Sequence, residues 1–154
     1  MLRSMPVSMR RMVVPMLLVS PLLGASAAAY AQSAQPAPAA PAARVFFVTP
    51  KDGATVTNPV VVKFGVEGMA IKPAGDMSPN TGHHHLIIDG DPVPAGQVVP
   101  TDDAHLHFGK GQTETTVNLT PGDHTLTMQF ANGAHQSYGP AMSQTIKVHV
   151  KGQQ

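Results

Sequence analysis

The sequence contains no cysteine and no tryptophan among its 154 residues, and only 5% of them are aromatic. Without cysteine, no disulfide can form, although secreted domains of this size often carry them. Blue-copper and iron–sulfur sites are excluded as well, because both need thiolate ligands. Aliphatic residues, phenylalanine and methionine must therefore fill the hydrophobic core.

Long hydrophobic runs are also missing, and the longest one, residues 12–23, is too short to be a convincing membrane span. Three arginines precede it: Arg3, Arg10 and Arg11. Ala29-Tyr30-Ala31 follows it and has the A-x-A pattern of a signal-peptidase site. We therefore predict a cleavable signal over residues 1–31, a periplasmic or secreted bacterial protein, and no stable membrane span after cleavage.

The charge that remains after such cleavage is small and shows no basic cluster. Seven basic and nine acidic residues lie beyond the predicted signal, which gives a net charge near −2 with neutral histidines. This balance argues against nucleic acid or an anionic membrane as a partner. Residues 32–43 contain only Ala, Pro, Gln and Ser, a composition typical of a disordered tether.

From residue 44 onward, short runs of β-forming residues alternate with turns rich in Gly, Pro and Asp. In the run over residues 60–67, the apolar side chains fall at every second position, as expected for a half-buried strand. About seven such runs occur, and none has a convincing helical pattern. The sequence therefore predicts one domain over residues 44–151, an all-β, immunoglobulin-like antiparallel sandwich. A small β-barrel is the alternative.

Two His-x-His patterns stand out, because five of the eight histidines lie between residues 82 and 109. Side chains at i and i+2 of a strand point to the same face, so His83 and His85 form one pair, and His105 and His107 form another. If the two strands are neighbours, four imidazoles converge, and imidazole is the commonest protein ligand for transition metals. We predict a metal site formed by these four residues.

Three further histidines are secondary candidates as ligands. His84 shares a strand face with Leu86 and Ile88, which favours a hydrogen-bonded residue on the inner face of the sandwich. His124 begins a strand just after a tight turn, where a ring often hydrogen-bonds backbone carbonyls. His135 lies in a loop, and its sequence context fits a solvated residue and a ligand equally well.

The donor types favour copper over zinc as the bound ion. An all-imidazole set suits both Cu(II) and Zn(II), and the general affinity order places copper first. Met69, Met77 and Met142 lie in predicted loops and could offer thioethers to Cu(I), although methionine more often fills gaps in a core. Asp102 and Asp103 precede the second pair, where they could orient imidazoles or be solvated turn residues.

Three segments together resemble a bacterial exported family known only as a domain of unknown function. They are Gly82–Leu86 (GHHHL), His105–Glu114 (HLHFGKGQTE) and Pro121–Leu126 (PGDHTL), and the resemblance extends over residues 82–142. It implies no settled activity. The flanking strands are similar to immunoglobulin-like modules of bacterial surface proteins, in which a PG-x-HTL segment often opens a late strand, and this favours a structural role for His124.

The sequence agrees less well with the motifs of two enzyme families. The segment His105–Gly109 is similar to the H-x-H and Phe-Gly of copper/zinc superoxide dismutases, but their disulfide cysteines and bridging-histidine zinc loop are missing. Cupins carry a glutamate three or four residues after H-x-H, where this chain has Gly111 and Gln112, with Glu114 displaced. We find no complete catalytic signature and expect a metal-binding protein for storage, delivery or buffering. The rival interpretation is a sandwich that binds another periplasmic protein or a glycan, with its histidines serving turns and hydrogen bonds.

Overall fold

The structure is a computed structural model that describes residues 42–152. The predicted signal, and all but the last two residues of the predicted tether, lie outside this range. The described residues form nine strands: β1 (Arg44–Thr49), β2 (Ala54–Val56), β3 (Val60–Glu67), β4 (Ala70–Ile71), β5 (Thr81–Ile88), β6 (His105–His107), β7 (Glu114–Val117), β8 (Gly122–Ala131) and β9 (Ser143–Val150). A single 3-10 turn, Pro140–Met142, precedes β9. Within residues 42–152, no helix has the length and hydrophobicity needed to cross a membrane.

The strands form two sheets, which confirms the predicted all-β sandwich. The smaller sheet has the order β1-β3-β7, and the larger one has the order β2-β9-β8-β5-β4, with β6 also paired to β5. Seven of the nine strands correspond to the predicted runs. The other two, β2 and β4, have three and two residues and pair in parallel with β9 and β5. Strands this short leave no alternating pattern in a sequence.

The main core lies between the inner faces of the two sheets. Alternate residues of β3 and β8 supply much of it: Val60, Val62, Phe64, Leu126, Met128 and Phe130. All six are at most 3% exposed. Fully burying a side chain of this size contributes about 1.5–3 kcal/mol, so these two central strands hold the sheets together.

The outer face of the larger sheet is covered as well, which the sequence did not predict. A second apolar cluster lies there: Ile87, Val93, Val99 and Ala131. Two loops, residues 89–104 and 132–139, lie over this face and are joined by backbone hydrogen bonds. The Val99 N–H donates to the His135 carbonyl at 2.9 Å, and the Ser137 N–H donates to the Gln97 carbonyl at 2.8 Å. Consequently β5 is buried on both faces along almost its whole length.

Candidate metal centre

Strands β5 and β6 are antiparallel neighbours, as the paired His-x-His patterns predicted. His85 lies opposite His107, and Ile87 lies opposite His105. On the other edge of β5, His83 lies opposite Ala131 of β8. This register places the odd-numbered histidines on the outer face of the larger sheet, beneath the two covering loops.

A third part of the chain brings His135 to the same place. His135 has a φ of 62°, and its N–H donates to the Asn132 carbonyl at 2.9 Å. The left-handed conformation costs a non-glycine residue about 1–2 kcal/mol. It is stabilised by the Asn132 side chain, whose Oδ1 accepts hydrogen bonds from the N–H groups of Ala134 and Gln136 at 2.9 and 3.0 Å. The loop therefore holds the His135 ring in a defined position over the sheet.

Four imidazole rings meet there: those of His83, His85, His107 and His135. Most neighbouring ring centroids are 4.7–5.0 Å apart, and the widest pair, His85 with His135, is 5.9 Å apart.

The nitrogens of these rings are close enough to share an ion. The Nε2 atoms of His83 and His85 are 3.1 Å apart, and so are those of His107 and His135. One nitrogen each from His83, His107 and His135 lies within 4.8 Å of the others. Two nitrogens bound to one ion by bonds of about 2.1 Å are themselves roughly 3.0–3.4 Å apart. The three-histidine group could therefore hold a metal ion.

The buried rings of the cluster are held in their neutral form. His83 and His85 are 0% and 2% exposed. Burial, followed by repulsion from neighbouring imidazoles, lowers the pKa of His83 to about 4 and that of His85 to about 3. Burial and the nearby His135 also lower the pKa of His107. Neutral imidazole is the form that binds metals, so these three rings would need no deprotonation to bind an ion at neutral pH.

Some ring nitrogens of this cluster have no hydrogen-bond partner among the described residues. A neutral imidazole has one donor and one acceptor, so each 3.1 Å contact holds a single proton between two nitrogens. The Nδ1 atoms of His83 and His85 are buried and have no hydrogen-bond partner among the described residues. Buried polar atoms without a partner are uncommon in folded proteins and often mark a functional site.

The loop over residues 72–80, here called the bracing loop, lies beside the two outer histidines of the cluster, His107 and His135. The Ala74 N–H donates to the Gly109 carbonyl at 2.9 Å, and the Gly75 N–H donates to the Gly133 carbonyl at 2.8 Å. Gly109 lies so close to the His107 ring that a Cβ atom on it would overlap the ring. Gly133 lies equally close to the backbone of the same loop. Both positions need glycine, and both fix a segment that carries a cluster histidine.

His105 lies on the same face but is bonded elsewhere. Its Nδ1 is 2.7 Å from Asp102 Oδ1, and that oxygen also accepts the N–H groups of Ala104 and His105 at 2.9 and 3.0 Å. The group of nitrogens close enough to share an ion does not include His105. Asp102 therefore orients this ring while also capping a tight turn.

His84 points to the opposite face, as its alternation with Leu86 predicted. Its ring lies between Phe64 and Phe130, with centroid distances of 4.8 and 5.0 Å. The prediction that His84 is hydrogen-bonded is wrong, because neither of its ring nitrogens has a partner among the described residues. Burial, and then the neighbouring His83, lowers the pKa of His84 to about 4.

His124 has the structural role that its position after a turn predicted. Its Nδ1 lies 2.7 Å from Asp89 Oδ2, and its Nε2 lies 2.9 Å from the Thr120 carbonyl. Although burial opposes it, these two hydrogen bonds raise the pKa of His124. His124 and His149 line a cleft of about 470 Å³ at the start of β8. That cleft is roughly 20 Å along the strand from the histidine cluster.

The three loop methionines lie in different surroundings. Met142 is buried in the main core and Met69 packs against it, which is the gap-filling role common for methionine. Met77 is 62% exposed.

Comparison with known proteins gives a family for the chain and no activity. No curated protein and no solved structure matches it. A family match covers residues 62–151, which is more than half of the chain and includes all four rings of the cluster. The chain therefore belongs to the family described as a domain of unknown function, DUF4399.

Proposed function

We propose that this protein is an exported metal-binding protein in which His83, His107 and His135 are the ligands of one transition-metal ion. The observation that carries the proposal is the convergence of three imidazole nitrogens within 4.8 Å of one another. They come from a central strand, an edge strand and a loop, so the fold brings together residues that are far apart in the sequence. His85, in contact with the His83 nitrogen, orients that ring as a neighbour of the ion.

The same geometry weakens the rival interpretation, in which the histidines only serve turns and hydrogen bonds. A structural imidazole network usually satisfies its buried nitrogens. Here the Nδ1 atoms of His83 and His85 are buried without partners. His105 and His124, by contrast, are bonded to carboxylates in the way a structural histidine is.

Copper is the ion we propose, ahead of zinc. Three neutral nitrogen donors suit either ion, and the intrinsic affinity order favours Cu(II). The predicted export signal over residues 1–31 places the protein outside the cytoplasm in this proposal. Storage, delivery or buffering of the metal is the proposed role, and we assign no reaction to the site.

Two double variants with matched changes test the proposal. His107→Ala with His135→Ala removes two proposed ligands, whereas His105→Ala with His149→Ala removes two histidines outside the cluster. None of the four residues is fully buried, so both variants should fold. Equilibrium dialysis against Cu(II) and Zn(II) should show one bound ion for the native protein and the control.

The ligand variant should bind at least about 100-fold more weakly, since even the loss of an outer-shell partner costs 10–100-fold. Dialysis against Cu(II) and Zn(II) together measures which ion the native protein prefers, and we expect it to bind Cu(II). Equal uptake by both double variants would remove the proposed site.

A further inference from the structure

The proposed metal centre has no anionic ligand, and this inference rests on that proposed site. Its donors are three neutral imidazoles, and among residues 42–152 no carboxylate joins the group. Oδ1 of Asp102 accepts three hydrogen bonds from Ala104 and His105, and Asp102 is not a member of the group. Asp76, in the bracing loop, accepts the Ser78 N–H at 2.9 Å. A bound divalent ion would therefore keep its full charge at the edge of the protein.

The same three ligands leave one side of the ion uncovered. His83 is fully buried on the central strand, His135 is half-buried, and His107 is exposed. An ion held by these nitrogens would lie between the sheet and the covering loop of residues 132–139, open to solvent on the side of the exposed His107 ring. Transition-metal sites with three protein ligands commonly bind a fourth, exogenous ligand at the open position.

Charge decides what kind of molecule suits that position. Taking a charge out of water is costly unless an opposite charge accompanies it. At the short distance of a coordination bond, a negative ligand gains more from an uncompensated divalent ion than a neutral ligand such as water does. We propose that the loaded centre binds a small monovalent inorganic anion, of the size of azide or bicarbonate, as its fourth ligand.

The anion proposal requires that His85 is not a ligand of the ion. Its ring is fully buried and contacts the His83 nitrogen, but it is not a member of the three-residue group. Were His85 to turn and become a fourth ligand, the ion would be enclosed by four neutral donors. A four-coordinate ion would then have no open position for an anion.

Azide binding to the copper-loaded protein tests the inference. Azide bound to Cu(II) produces a charge-transfer absorption band, and electron paramagnetic resonance counts the nitrogens of the protein ligands. We expect a saturable band with one azide per copper, three imidazole nitrogens retained throughout, and a lower apparent azide affinity when bicarbonate competes. His105→Ala is the matched control and should leave the azide titration within twofold of the native one.

The possible failures are distinguishable. If the protein takes up no Cu(II), the proposed function itself fails and the inference falls with it. If Cu(II) binds with three or four nitrogens and azide changes neither signal, the metal site stands and the anion proposal is overturned. Loss of a protein nitrogen as azide binds would also overturn it, because azide would then be displacing a ligand instead of filling an open position.

Discussion

The metal-free protein should lose much of its stability in mild acid, because three buried histidines resist protonation only in the folded state. Their pKa values are about 4 for His83 and His84 and about 3 for His85. An unfolded histidine titrates near 6.5. Below that value the unfolded chain takes up protons that the folded chain does not, so stability falls as the pH falls.

The expected loss is large compared with the stability of a small domain. Between pH 7 and pH 5, the linkage relation gives about 2 kcal/mol for each of the three groups, and about 6 kcal/mol in all. His124 works in the opposite direction, since its raised pKa stabilises the folded state below 6.5, and it offsets part of the loss. Domains of this size have about 5–15 kcal/mol of stability in total.

Urea unfolding at half-unit pH steps, with a chelator present, measures this dependence. His84→Leu is the informative variant, because His84 lies on the core face, away from the proposed ligands, and leucine is of similar size. It should lower the pH slope by about 1 kcal/mol per unit and raise stability at pH 7 by about 1 kcal/mol, since it removes a buried group without hydrogen bonds. A native stability that stays flat from pH 7 to pH 5, or an unchanged slope in the variant, would refute the reasoning.

Three other results are expected. Gly109→Ala should weaken metal binding by about tenfold or more in a competition titration, because its Cβ displaces the His107 ring; native affinity would show that this contact is not needed. Asp89→Ala should lower the free energy of unfolding by about 2 kcal/mol with no effect on metal uptake, since the Asp89 side chain bonds Thr125 and His124, at 2.9 and 2.7 Å, away from the cluster; an altered metal affinity would contradict the separation of the two sites. Cu(II) at 100 times its dissociation constant should stabilise the protein by about 2.7 kcal/mol, and a chelator should reverse this in thermal unfolding; an unchanged melting temperature would exclude selective binding to the folded state.

Strand periodicity carried most of the fold prediction, since it depends on residues next to each other in the sequence. The alternation in β3 and the spacing of His83 and His85 are local features, and both correspond to the observed faces. The pairing of β5 with β6 was the condition on which the predicted site depended, and the register of His85 with His107 meets it. The sandwich then followed from the number of strands.

The covering loops could not be predicted in the same way. His135 joins the cluster because an Asn132 turn holds it in a left-handed conformation over a distant strand, and no periodic pattern records such a contact. The Asn-Gly pair beside it and the isoleucine at position 87, on the same face as the histidines, were the available signals. An apolar residue on the face that carries the histidines indicates that something covers that face.

The three histidines of β5 lower the stability of the folded protein. Three adjacent imidazoles are buried on both faces of a central strand, where apolar residues would be more stable. His84 alone has two unpartnered nitrogens, and the outer pair leaves two more. A metal bound through Nδ1 of His83 would recover part of this cost, because coordination would take the place of the hydrogen bond that this nitrogen lacks. The same ion cannot reach His84 on the inner face, so the stability cost of His84 should persist after metal loading, and His84→Leu should stabilise the loaded and metal-free proteins equally.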